Sequence, residues 1–264
     1  MSQLKSFRRS TSAIRILLFI VCILFFMSSG YGLFYQGWWQ FIPSTLFILL
    51  TAWLCFPDDW KTYLGLKGSL REILTGICLC SFFAMGSYFI IRHSLPDAYT
   101  LIPGNYRDYL IPPFQSFNEE MVFRALLLTA LTQTGLKKWL ILVLPALVFS
   151  MAHWLFYSFN LHTGFRGDLD FSALATLLCF GISTNALFLA TRSILLPWAL
   201  HCGWNLNRFG SHIISMSSAD ETIPEYLTFN LLEGSESVLI LSALTAGLCV
   251  LWWQRTGTYK APRF

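Results

Sequence analysis

From Trp139 to Phe159, and again from Phe171 to Ala190, the chain runs without a charged side chain. A helix needs about 20 mostly apolar residues to cross the hydrocarbon of a bilayer. Eight windows meet that length, roughly 14–35, 40–56, 70–92, 113–133, 139–159, 171–190, 194–216 and 236–254. Backbone groups in lipid must be satisfied within the segment, so such windows fold as helices. The expected fold class is all-α, a multispanning membrane helix bundle of about eight transmembrane helices. Composition agrees: 55% of the residues are hydrophobic and 12% charged, against roughly 25% charged in soluble domains.

Charge is distributed unevenly along the chain. With the N-terminus placed in the cytoplasm and the windows alternating, the cytoplasmic segments collect Lys5, Arg8, Arg9, Arg15, Lys61, Lys67, Arg71, Lys137, Lys138, Arg192, Arg255, Lys260 and Arg263. The opposite side keeps Arg92, Arg107, Arg166 and Arg208, with most of the acidic residues. This is the positive-inside bias, and it puts both termini in the cytoplasm. The basic lead, apolar run and small residues at Ser28, Ser29 and Gly30 imitate a secretory signal; with many spans following, they read as an uncleaved first helix. A net charge of +4 is too small and scattered for nucleic acid. The expectation is a single integral-membrane domain over 1–264, multi-pass, in the plasma (inner) membrane of a prokaryote. Seven cysteines lie almost entirely in apolar runs with no CxxC pair, so they read as small core residues.

Against this background a few polar residues stand at membrane depth: Glu119, Glu120 and Arg124 in the fourth window, His153 in the fifth, and His201, Asn205 and Asn207 in the seventh. A central charge costs at least ~2.5 kcal/mol on insertion scales, so a functional role is the default. Glu120 and Arg124, four apart, share a helix face and can form an ion pair. Glu119 points about 100° away, which leaves it as the free carboxylate. Phe149 lies one turn before His153, and His201 and Asn205 share a face, with Gly203 between them allowing close approach of a neighbouring helix or a substrate. A carboxylate can take a proton from water while a histidine shares it, and a His–Asn pair can stabilise an oxyanion. These are the parts needed to hydrolyse an amide without a covalent intermediate. The same Glu–His–His–Asn set could instead hold zinc.

The motifs Glu119-Glu120-x-x-x-Arg124, Phe149-x-x-x-His153 and His201-x-x-x-Asn205 resemble the signature of the CAAX protease and bacteriocin-processing (CPBP, or Abi) family of intramembrane endopeptidases. The resemblance covers about 113–210 and implies that this stretch is the catalytic core. It implies Glu119 as the base that activates water with His153 assisting, His201 and Asn205 as oxyanion stabilisers, and Glu120 and Arg124 as supporting residues. The expected reaction is hydrolysis of a peptide bond in a membrane-associated protein or peptide, so the expected partners are the lipid bilayer and that substrate. No cofactor is favoured; the metal-dependent alternative is zinc held by Glu119, His153 and His201. Two other readings are a non-catalytic immunity or binding protein of the same family and a proton- or ion-coupled transporter. Counted along the windows, Glu119 and His153 lie ~10 Å below the outer helix ends, whereas His201 falls nearer the inner side.

Overall fold

The computed structural model describes residues 41–55, 60–66, 68–106, 108–132, 134–160, 164–165, 167–215 and 225–256; the helix expected at 14–35 lies outside them. The chain is mostly helical. Helix α1 spans Phe41–Cys55 and α2 Leu70–Ser94. After strand β1 (Tyr99–Pro103), α3 (Ile111–Glu120) leads into a π-helical segment, Met121–Leu128, and a last turn, α4 (Thr129–Thr132). Helix α5 (Lys138–Ser158) is followed by a small ribbon of β2 (Phe159–Asn160) and β3 (Gly164–Phe165). Then come α6 (Phe171–Thr191), α7 (Leu195–Gly210), β4 (Ser211–Ser215), α8 (Glu225–Glu233) and α9 (Glu236–Thr256).

Four of these helices, α2, α5, α6 and α9, are long and apolar enough to cross a membrane, and α1 is a shorter apolar helix. Their outward faces are apolar too. Ile240, Leu244, Leu248 and Leu251 on α9, and Ile73, Leu74, Ile77, Phe82, Met85 and Phe89 on α2, are exposed at helical spacing. In water such stripes would be an unsatisfied surface; in lipid they are the solvated one. Helix α6 is the centre of the bundle, since 67% of its apolar window is buried against 17–33% in the other three.

The residues show why the elements begin and end where they do. Ser69 and Glu72 form a reciprocal capping box at the start of α2, satisfying two of its orphan amides. Pro112 and Pro113 open α3 in its first turn, where a missing N–H costs nothing. Arg192 closes α6 in the left-handed conformation, φ 57°. At that end the Ile194 amide donates to the Gly65 carbonyl, 3.0 Å, and at the other end β1 pairs antiparallel with β4. Helices α2 and α7 therefore run parallel, joined at both ends.

Two expectations are corrected. The bundle is not purely helical, because two short two-stranded ribbons are present. The seventh window does not stay helical to 216: α7 stops at Gly210, and residues 211–215 form β4, paired with the proline-rich segment after α2.

Candidate active site

Helix α3 supplies the acidic pair. Glu120 lies within 3.2 Å of Arg124 Nη1, and neither side chain touches solvent. The expected i,i+4 pair therefore forms, with Arg124 in the middle of the π-helical segment, where Thr129 Oγ1 reaches back five residues to the Arg124 carbonyl, 3.5 Å. Arg124 also donates from Nη2 to Thr184 Oγ1 on α6 and lies over the Phe149 ring, 4.6 Å from its centroid. Glu120 has a second partner that the spacing did not show: His201 Nδ1, 2.7 Å away. The brace thus ties α3 and the π segment to both α6 and α7.

Glu119 is not the free carboxylate expected. Its Oε1 accepts a hydrogen bond from Gln115 Nε2, 3.0 Å. Its Oε2 lies 3.5 Å from His201 Nε2 and 3.7 Å from His153 Nε2. That oxygen is buried and accepts no hydrogen bond among the described residues. His153 Nδ1 faces the Phe149 carbonyl at 2.9 Å. A carbonyl can only accept, so the Nδ1 proton is committed there and Nε2 is the nitrogen turned to Glu119. The Phe149 ring packs beside His153, centroids 4.3 Å apart, and edge-on to His201 at 5.8 Å; Phe180 closes the other side of His201 at 5.0 Å.

These groups converge on one cavity, with about 20 Å³ open to the centres of water molecules, room for about one water. Asn205 also lines it, with no hydrogen-bond partner for its amide among the described residues. Four candidate residues from three helices therefore share a single space. Asn207 does not belong there: it donates to the Ala84 carbonyl and to Ser87 Oγ, 2.7 and 2.5 Å, fastening α7 to α2. The depth mismatch disappears once α7 ends at Gly210. His201 then lies nine residues from the ribbon end and Glu119 eight residues from the start of α3, ~13 and ~12 Å.

Among the cavity residues that were not foreseen are Gln115, Arg208 and Glu233. Arg208, expected among the outer connecting charges, is instead turned into the bundle. It pairs with Glu233 Oε1 at 3.4 Å, and its guanidinium lies 4.5 and 4.3 Å from the Tyr157 and Phe229 ring centroids. Trp204 Nε1 also donates to Glu233 Oε1, 3.2 Å. Burial pushes the Glu233 carboxyl above its ordinary value, against the opposing pull of Arg208. Gln115 and Arg208 carry a legible signal, one turn before Glu119 and one turn after Asn205; Glu233 carries none.

Two imidazole nitrogens and a carboxylate are donors of the kind zinc takes. Among the described residues, however, no three His, Cys, Asp or Glu side chains are grouped so as to hold a metal ion.

No curated protein matches this chain. The family model "Type II CAAX prenyl endopeptidase Rce1-like" matches residues 109–207. That stretch contains α3, α5, α6 and nearly all of α7, and with them Glu119, Glu120, Arg124, His153, His201 and Asn205. Over residues 109–207 this integral membrane protein is therefore similar to the Rce1-like type II CAAX prenyl endopeptidase family, in line with the resemblance its three motifs carry.

Proposed function

We propose that the protein is an intramembrane endopeptidase that hydrolyses a peptide bond of a membrane-associated protein or peptide with a glutamate-activated water and no metal ion. One observation carries the reading. A buried carboxylate oxygen, Glu119 Oε2, accepts no hydrogen bond among the described residues and faces two imidazole Nε2 atoms across a cavity sized for about one water.

In this reading Glu119 Oε2 takes a proton as the water oxygen attacks the scissile carbonyl carbon. His153, its Nδ1 proton held by Phe149, shares that proton through Nε2 until it passes to the leaving nitrogen. The Asn205 amide donates to the tetrahedral oxyanion. In this reading His201 keeps both ring protons throughout the cycle, one on Nδ1 toward the Glu120 carboxylate, and donates the other from Nε2 to the same oxyanion. Arg124, held by Thr184 and stacked on Phe149, keeps Glu120 in place for that task.

The substrate is open, so the test is comparative. Membrane proteins from cells lacking the protein, complemented with wild type or Glu119→Gln, are compared by mapping protein termini. New termini that appear with wild type and vanish with the variant, both being equally abundant and folded, are the expected result. On the substrate so found, loss of the base lowers the rate by ~10²–10⁴-fold, and metal chelators leave it unchanged. Identical termini from both strains would overturn the peptidase reading; inhibition by chelators would overturn its metal-free form.

A further inference from the structure

We infer that Gln115 is a positioning residue for the general base: its side-chain amide ties down Oε1 of Glu119 and leaves Oε2 as the single reacting oxygen. The inference rests on the peptidase reading above. A carboxylate has two equivalent oxygens, and rotation about its last side-chain bond exchanges them. A donor fixed on one oxygen removes that equivalence. Gln115 Nε2 is such a donor, 3.0 Å from Oε1, one turn before Glu119 and itself part of the cavity wall. The other oxygen, Oε2, accepts no hydrogen bond and is the one that both imidazoles face.

The backbone that carries Gln115 is held on both sides. Trp198 Nε1 on α7 donates to the Pro113 carbonyl, 2.8 Å, and its ring meets Phe117 edge-on at 5.4 Å. Ser116 Oγ donates to the Pro112 carbonyl, 2.5 Å. The first turn of α3 is therefore fixed to α7, the helix that also carries His201 and Asn205. A donor on a rigid turn sets the direction of the base, whereas a donor on a loose one would follow it. The direction of this hydrogen bond is fixed, since Gln Nε2 can only donate and Glu119 Oε1 accepts.

The test begins with infrared difference spectroscopy on the detergent-purified full chain, which needs no substrate. The carboxylate bands of Glu119 are isolated as wild type minus Glu119→Gln. Gln115→Met keeps length and bulk but removes the donor; Gln115→Asn keeps the amide but withdraws it by one methylene. Both are expected to shift the Glu119 bands relative to wild type. On the substrate identified by terminal mapping, both are expected to lower kcat ~10–100-fold with KM nearly unchanged, the pattern of an interaction used only in the transition state. Unshifted bands in both variants would overturn the hydrogen bond, whatever the terminal mapping gives. Shifted bands with unchanged kcat would overturn the positioning role and leave the peptidase reading intact.

Discussion

Glu233 and Arg208 face each other across the wall of the cavity that the catalytic candidates do not occupy, and their pairing makes a pH-dependent demand on the fold. Glu233 is 2% exposed, and burial raises its carboxyl above the ordinary value of 4.5. A raised value means that the folded protein holds the proton more tightly than the unfolded chain does. The stability this contributes is complete below the unfolded value and is lost as pH rises through the folded one. Glu233→Gln removes the titration while keeping the shape and a polar partner for Arg208. Wild type is therefore expected to lose unfolding temperature, relative to the variant, as pH rises from ~4.5 through the range above it. Thermal scans in detergent at several pH values check this, and a constant difference would count against it. At this scale the sequence was readable where helical periodicity applies. Within each helix the spacing set which residues share a face, and Arg208 stands three residues after Asn205 on the same face; that Glu119, His153, His201 and Asn205 line one cavity is visible only in the fold. Glu233 comes from a segment without such a pattern, and no spacing rule links it to α7.

The elements owe their close packing to small residues. A Cβ on Gly203 would meet the Cys80 backbone, 3.0 Å from its Cα, and one on Gly181 would lie 2.9 Å from the Cα of Ala146. At these points α7 rests on α2 and α6 on α5, backbone against backbone, the arrangement small residues permit between helices in lipid. Of the two roles expected for Gly203, contact with a neighbouring helix is the one present. Gly203→Val and Gly181→Val are each expected to destabilise by about 1–3 kcal/mol, the usual range for overpacking. Gly247, with nothing within 4 Å of its added Cβ, is the control. Gly247→Ala leaves unfolding unchanged or raises its midpoint, since alanine is the better helix former. Equal losses at all three sites, measured by denaturation in detergent, would contradict this account. Element boundaries were legible where apolar runs ended in a cap, as at Ser69. They were not legible at 211–215, where Ile213 and Ile214 continue an apolar run but the backbone turns to strand; composition alone does not separate the two. The π-helical segment left no mark in the sequence.

At the scale of the molecule, the links at its ends set which helices run together. Gly65 and Ile194 join one end of the α2–α7 pair, and the β1–β4 ribbon joins the other. Helix α3 starts beside the ribbon, where the Gly104 amide donates to the Gly210 carbonyl, 2.8 Å. Helix α5 runs opposite to α6, bonded to it at both ends, Ser150 Oγ to the Leu174 carbonyl and Asn185 Nδ2 to the Leu142 carbonyl. Followed through these contacts, the chain brings Lys61, Arg71, Lys137, Lys138 and Arg192 to the end opposite the ribbon, with Asp97 and Asp108 at the ribbon end. The positive-inside rule predicts that the basic end faces the cytoplasm. On that orientation Glu119, ~12 Å along α3 from the ribbon end, is expected in the outer half of the bilayer, with the ribbon side as the expected route for a substrate. Single cysteines placed in a cysteine-free background at Lys137 or Arg192 are expected to react with a membrane-impermeant thiol reagent only when the cytoplasmic face is exposed. Those placed at Asp97 or Asp108 are expected to react from the other face. Cysteines at Phe114 and Gln115 decide the route to the site. Labelling of these two from the outer face alone supports entry past the ribbon, and labelling from the cytoplasm alone would place the opening at the basic end instead.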